Sequence, residues 1–493
     1  MAHHELVHAA LTSPRIDGTH FFTPEEPLSD TPFQLLRRSF PSKDIKVAPL
    51  VSLVSMAPLY SYVFPVAMEH LPLLATTRLS LSSGHFPVSG IVHSISSHAS
   101  SSLYLNIMLQ SELYDRLVVT SRAGYCAISR IFDGYEEFLF SKLGPHRVSR
   151  PKIATIPLGV DVKLFGTLPK EAFRAQLGIT SDQVVVLYLG RLTQEYKADL
   201  EPLLIAFQSA HKRHPTSVLL LAGHQGSSGY VDVLRRQVQE LGIERAVRFC
   251  TNFPFDQKYT LYSCADIFVS PSDNIQETFG ITLLEAAASS LPIIASDWSG
   301  YKDLVIDGKT GILVPTRWDP TFAAFANIGA TLRNQKRTSY LLAQHTVVDP
   351  ASMRNALLLL MERPDLRESM GRKGRARVIS EFDWSVIMSR FIDLWEEQRD
   401  ELNASDTPHR RINLTLNEIY GHYATSTMRS TDSFKIAVER PITSSNIPEY
   451  EPYTSLTALQ RDRSYTRTEL LNAKESLPED VLSWLLKKGY LVE

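Results

Sequence analysis

Between residues 184 and 314, short apolar runs alternate with stretches of helical patterning, and this alternation limits what the 493-residue chain can fold into. The runs at 184–189, 217–222, 247–250, 267–269, 292–296 and 311–314 are rich in Val, Leu, Ile, Phe and Ala, as in strands covered on both faces. Between them, 199–214, 231–241, 255–263 and 280–290 carry helical patterning. A parallel strand needs a covering crossover, so the pattern predicts right-handed βαβ units and a doubly wound sheet. Such sheets bind ligands beyond the carboxyl ends of their strands, where Gly190, Gly223 and residues 270–273 fall.

Residues 270–300 read SPSDNIQETFGITLLEAAASSLPIIASDWSG. Turn chemistry at 270–273 ends the run 267–269, and the good helix formers after Gly280 start a helix there. Glu277 then lies in the loop ahead of the helix, and Glu285, after seven intervening residues, lies inside it. The free N–H groups around Gly280, Ile281 and Thr282 form an anion-ready helix start. A loop carboxylate, a phosphate-ready helix end and a helical carboxylate suit a sugar, a diphosphate and a ribose in turn. Asp273 reads as loop capping.

Glu277 and Glu285, with Phe279-Gly280-Ile281 after the first, resemble the E-x7-E signature of retaining GT-B glycosyltransferases, specifically glycosyltransferase family 4. Residues 296–305 and 307–311 look like that family as well. Tyr188-Leu189-Gly190-Arg191-Leu192 with Lys197 resembles its diphosphate motif, and Ile156-Pro157-Leu158-Gly159-Val160-Asp161 its interdomain crossing, with Leu158 in place of the usual Asn. The resemblance implies two Rossmann-like domains facing across a cleft: an acceptor-side domain over 1–165 and a nucleotide-sugar domain over 166–381. A helix at 382–400 would cross back to the first domain, and 401–493 has no assigned role. The first domain reads as shortened, with no Gly-rich loop after a first strand.

The resemblance further implies a donor site of Gly190, Arg191, Lys197, Glu277, Phe279, Gly280, Ile281, Thr282 and Glu285. Arg191 and Lys197 would meet the diphosphate as negative charge grows on it. Glu285 would accept both ribose hydroxyls, and Glu277 would orient the transferred sugar. His93, near the end of a strand at 90–95, resembles the family's donor-facing His, with His98 as a rival. Arg122, after a strand at 115–120, is a candidate for the acceptor side. No Asp-x-Asp pair stands in a loop to hold a metal, so neither metal nor cofactor is expected. A catalytically silent GT-B subunit and another GT-B enzyme, an epimerase or a phosphorylase, stay open as alternatives.

Composition narrows the partners. A net charge of -2 makes no global case for nucleic acid or bulk membrane attraction. Peripheral contact with a membrane surface stays open, and neither the acceptor nor the oligomeric state is legible. Residues 49–75 are apolar, but Pro58, Pro65 and Pro72 break them well short of the ~18 apolar residues a span needs. They are expected to form buried strands and short helices. The opening MAHHELVHAALTSPRIDG lacks a basic segment followed by an apolar one, so it does not read as a signal peptide. Three scattered cysteines, with Cys250 and Cys264 in apolar surroundings, fit buried thiols in a reducing cytoplasm.

Overall fold

A computed structural model describes residues 2–23, 31–49, 52–56, 64–80, 86–93, 95, 99–144, 150–166, 168, 170–226, 229–254, 256–319, 335–405, 433–436, 465–466, 469 and 491–492. Contacts divide the chain into two units, Met1–Arg410 and Arg411–Glu493. The smaller unit shows Ser433–Ile436 paired antiparallel with Tyr465–Thr466 on one side and Leu491–Val492 on the other. The stretch 477–486, whose sequence predicts a short amphipathic helix, lies outside the described residues.

The larger unit opens with a helix, Ala2–Thr12, followed by β1 (Gly18–Thr23) and β2 (Asp44–Pro49), a parallel pair. Four parallel strands follow as a second sheet, β3 (Phe64–Ala67), β4 (Val88–Ile91), β5 (Arg116–Val119) and β6 (Lys152–Thr155), in sequential order. The sheet of the domain expected to bind the donor, called the donor sheet, comprises β7 (Val184–Leu189), β8 (Ser217–Gly223), β9 (Val247–Thr251), β10 (Ile267–Ser270), β11 (Ile293–Ser296) and β12 (Gly311–Val314). Its order is β12-β11-β10-β7-β8-β9, parallel throughout. Counted from β7 this is the 3-2-1-4-5-6 order of a dinucleotide-type sheet, with its switch point between β7 and β10. The chain thus has a two-domain, Rossmann-like GT-B architecture.

Alternation along β7 sends Val186 and Tyr188 into one core and Val185, Leu187 and Leu189 into the other. The helices Glu201–His211, Tyr230–Glu240 and Pro350–Glu362 cover the first face. Gln257–Cys264 and Ile281–Ala288 cover the second. In the 49–75 stretch the described pieces are a helical turn at Leu53–Met56, β3, and the start of a helix at Leu71–Ser80. No helix among the described residues is long and apolar enough to cross a membrane. Cys264 is buried, Cys250 only half-buried and Cys126 exposed.

The last helix of this unit, Trp384–Asn403, packs Ile387, Phe391 and Leu394 against Ile91, Val118 and Ile156 of the first domain and Leu6 and Ala10 of helix Ala2–Thr12. Its fully buried Gln398 donates to the carbonyls of Val88 (3.3 Å) and Tyr114 (2.9 Å) and accepts from Ser89 Oγ (2.6 Å). An amide at this position satisfies strand-end groups that an apolar side chain would strand. Where the chain crosses between domains, Val160 N–H donates to Phe382 O (2.9 Å) and Trp384 N–H to Val160 O (3.3 Å). Gly159 lies flat under the Trp384 indole, where a Cβ would come within 2.5 Å of the ring. Gly159→Ala is therefore expected to lower the stability of the two-domain unit by about 1–3 kcal/mol, the usual cost of overpacking. Urea unfolding followed by tryptophan fluorescence measures it.

Candidate functional site

The reversal of strand order brings the loops after β7 and β10 side by side, and an ion pair joins them. Lys197, in the first loop, holds the Glu277 carboxylate in the second. Only 14% of the Lys197 side chain and 11% of that of Glu277 is exposed, so both charges are largely out of water. Burial alone would push the Glu277 carboxyl up, but the Lys197 ammonium, its hydrogen bond and the Phe279 N–H hold it below its ordinary value. Lys197 is depressed by burial and raised by Glu277 and Tyr188, with a net rise. Tyr301 OH also donates to Glu277 (3.3 Å) and lies 2.8 Å from Ser270 Oγ.

Gly280 caps the helix Ile281–Ala288 with φ +103°, left-handed backbone that disfavours other residues, and no side chain caps the helix start. A Cβ there would also come within 2.3 Å of the Tyr301 ring. The N–H groups of the first turn therefore carry no side-chain acceptor, as an anion site requires. Phe279 is buried in the donor core, Ile281 packs at its edge, and the buried Thr282 Oγ1 has no hydrogen-bond partner.

Glu285 lies one turn into this helix, 5% exposed. One oxygen accepts from Lys258 Nζ (2.7 Å) and the other from Tyr262 OH (2.8 Å), both on helix Gln257–Cys264. The carboxylate is thus already hydrogen-bonded within the protein, and a ribose would have to share or displace these donors. Neither Lys258 nor Tyr262 stands out in the sequence. Tyr301 lies within the family-like segment 296–305 but carried no role there.

Arg191 is the exposed cation of the pair expected at the diphosphate, with its guanidinium 5.9 Å from the Tyr196 ring and 3.5 Å from the Tyr196 carbonyl. A Cβ on Gly223 would strike the Gly190 carbonyl oxygen at 1.7 Å, so position 223 admits only glycine, and a Cβ on Gly190 would lie 3.0 Å from Tyr188 OH and 3.2 Å from Lys197 Cε. At the same sheet edge His224 and Phe253 stack, with centroids 5.7 Å apart. Asp273 is buried and accepts from Asp199 N–H (3.2 Å), and burial raises its pKa well above the usual carboxyl range.

In the first domain His93 follows β4 and Arg122 follows β5, on one carboxyl edge of a parallel sheet. Desolvation outweighs the pull of Glu69 and lowers the His93 pKa, which favours a neutral imidazole at pH 7. The rival His98 lies outside the described residues. Arg122 Nε donates to Asp303 Oδ1 of the donor domain at 2.7 Å. Among the described residues no group of three or more His, Cys, Asp or Glu could hold a metal ion.

Residues 169–341 match the family model described as glycosyl transferases group 1. The D-inositol 3-phosphate glycosyltransferase of Corynebacterium glutamicum (strain R) is 32% identical over 202 residues, which cover 40% of this chain and 47% of that one. The chain spans about half the length of the curated relatives it matches. Anabaena Alr3699/HepE in complex with UDP superimposes with a TM-score of 0.57 at 18% identity, over 80% of this chain and 95% of that one. Sucrose-phosphate synthase from Thermosynechococcus elongatus gives 0.50 at 21% identity, over 81% and 92%. At these identities the structural likeness is one of fold. Residues 169–341 are thus similar to a group 1 glycosyltransferase domain, and the fold around them is GT-B.

A buried pair is a poor stabiliser against an apolar replacement, but removing one partner typically costs about 3–5 kcal/mol because a lone charge stays buried. Glu277→Gln should therefore destabilise the protein at neutral pH. The Glu277 carboxyl lies below 4.5 in the folded state, so its contribution is present above pH 4.5 and is lost as pH falls through the folded-state value. In urea unfolding across pH, the gap between wild type and Glu277→Gln should hold through neutral pH and close only on the acid side of 4.5.

Proposed function

We propose that the chain is a retaining, metal-independent glycosyltransferase that moves a sugar from a nucleotide-activated donor to an acceptor, as a cytoplasmic enzyme. The observation that carries this reading is the Lys197–Glu277 pair, which joins the two motif loops at the switch point of a dinucleotide-type sheet. Arg191 and the uncapped first turn at Ile281 and Thr282 supply positive potential where a departing diphosphate gathers charge. Lys197 lies between that anion and Glu277, so its ammonium can serve both. Glu277, held ionised, can take hydroxyl protons of the transferred sugar in hydrogen bonds and orient it. Glu285 faces the ribose through the Lys258–Tyr262 bonds, and neutral His93 approaches the donor sugar from the first domain. Charge neutralised by cations and backbone dipoles leaves no step that requires a metal.

A second reading, a binding subunit without turnover, is favoured by two observations. Residues 24–30 after β1 read PEEPLSD, with no glycine where a phosphate-approaching loop would stand, and both signature carboxylates already hold internal cations. Donor hydrolysis and transfer across a panel of nucleotide sugars and acceptors decide between the two. Turnover supports the enzyme; nucleotide binding without turnover supports the subunit.

Arg191→Ala is expected to reduce turnover by about two to three orders of magnitude, the scale of one lost transition-state donor. A chelator should leave the wild-type rate unchanged. Glu285→Gln should weaken binding of free nucleoside diphosphate by roughly 1–2 kcal/mol in calorimetry, whereas Glu277→Gln should spare that binding and damage transfer. Glu285→Gln also leaves Lys258 without its anion, so thermal unfolding is followed alongside. Equal loss of nucleotide binding in both variants would contradict the division of labour.

A further inference from the structure

The peptide that follows Glu277 is gripped from both domains. On the donor side Gly300 lies so close that a Cβ would come within 2.3 Å of the Thr278 carbonyl oxygen. On the first-domain side Ser121 Oγ donates to that carbonyl at 2.7 Å. The same hydroxyl accepts from Gly124 N–H at 3.1 Å, capping the 22-residue helix Arg122–Leu143.

The neighbouring helical turn, Tyr301–Leu304, is gripped in the same way. Tyr301 reaches inward to Glu277, and Asp303 reaches outward to the first domain, where it accepts from Arg122 N–H and Nε, both at 2.7 Å. Asp303 therefore sits on the positive end of a long helix from the other domain. Arg377 holds this turn from behind by donating to the carbonyls of Asp303 (2.9 Å) and Leu304 (2.7 Å). The Arg122 side chain is 81% exposed, so the ion pair alone contributes little. What distinguishes it is the added backbone bond and its place beside Glu277. A cavity of about 420 Å³ opens next to these contacts, walled by Thr120, Arg122, Phe279, Asp303 and Arg390, so the bonds bridge a gap between domains.

We infer that Ser121, Arg122 and Asp303 form an interdomain latch that positions Glu277, so that the donor-sugar carboxylate is correctly placed only when the two domains are closed. These are positioning residues: they act on Glu277 through the Thr278 peptide and through Tyr301. The inference rests on reading Glu277 as a ligand of the donor sugar. Domain closure would then be coupled to catalysis, and an open enzyme would bind nucleotide without transferring sugar.

Two variants break one prong each. In Ser121→Asp the carboxylate still caps the helix but has no hydrogen to donate to Thr278. Asp303→Ala removes the other prong at a less buried position and covers the case in which Ser121→Asp fails to fold. Each should reduce turnover about five- to tenfold, the scale of a lost hydrogen bond, with donor KM within about twofold of wild type. Independently of turnover, hydrogen exchange at residues 274–282 should speed up in each variant, while β7 keeps its protection. Unchanged exchange at 274–282 in the folded variants would overturn the latch. A wild type that neither binds nucleoside diphosphate nor transfers sugar would instead overturn the proposed function, and the exchange result would still decide the latch.

Discussion

The ion pair between Lys197 and Glu277 is the contact on which the rest of the site depends. Its partners are 80 residues apart and meet only because the sheet reverses its strand order between β7 and β10. Two charges removed this far from water would be a liability in a structural core, where apolar residues of similar volume do as well or better. Their presence makes sense where a ligand needs both a cation for phosphate and an anion for hydroxyls. The surrounding close approaches serve the same pair. Gly280 admits the Tyr301 ring, Gly300 admits the Thr278 carbonyl, and Tyr301 in turn bonds Glu277.

The first domain is tied to this arrangement by contacts of very different strength. At the crossing, helix Trp384–Asn403 buries an apolar stripe and the fully satisfied Gln398 against β4 and β5. Beside that core, around a cavity that Arg390 of the same helix also walls, the domains meet through polar bonds, Ser121 to Thr278 and Arg122 to Asp303.

Much of the donor domain was legible in the sequence because its strands are buried on both faces. The runs at 184–189 and 311–314 match β7 and β12 residue for residue, and the other four differ by about a residue at one end. β1 escaped notice for the converse reason: Gly18–Thr23 is half-buried throughout and offers neither alternation nor a continuous apolar run. Glu277, Glu285 and Gly280 were legible as a motif, but their partners were not. Lys258 reads as an ordinary helical lysine, since the anion that accounts for its burial is 27 residues away. Arg122 reads from its strand end as an acceptor-side candidate, and nothing in the sequence marks its hydrogen-bond partner Asp303, 181 residues away in the other domain. Periodicity reports burial; it does not report which charge meets which.

The central claim is that the Lys197–Glu277 junction is the floor of a nucleotide-sugar site. A crystal structure of the protein with the tightest-binding member of a panel of nucleoside diphosphate sugars tests it most directly. The diphosphate is expected within hydrogen-bond distance of Arg191, Lys197 and the N–H groups of Ile281 and Thr282, with Glu277 on sugar hydroxyls and Glu285 on the ribose. A ligand bound elsewhere on the molecule, or a panel in which nothing binds, would contradict it.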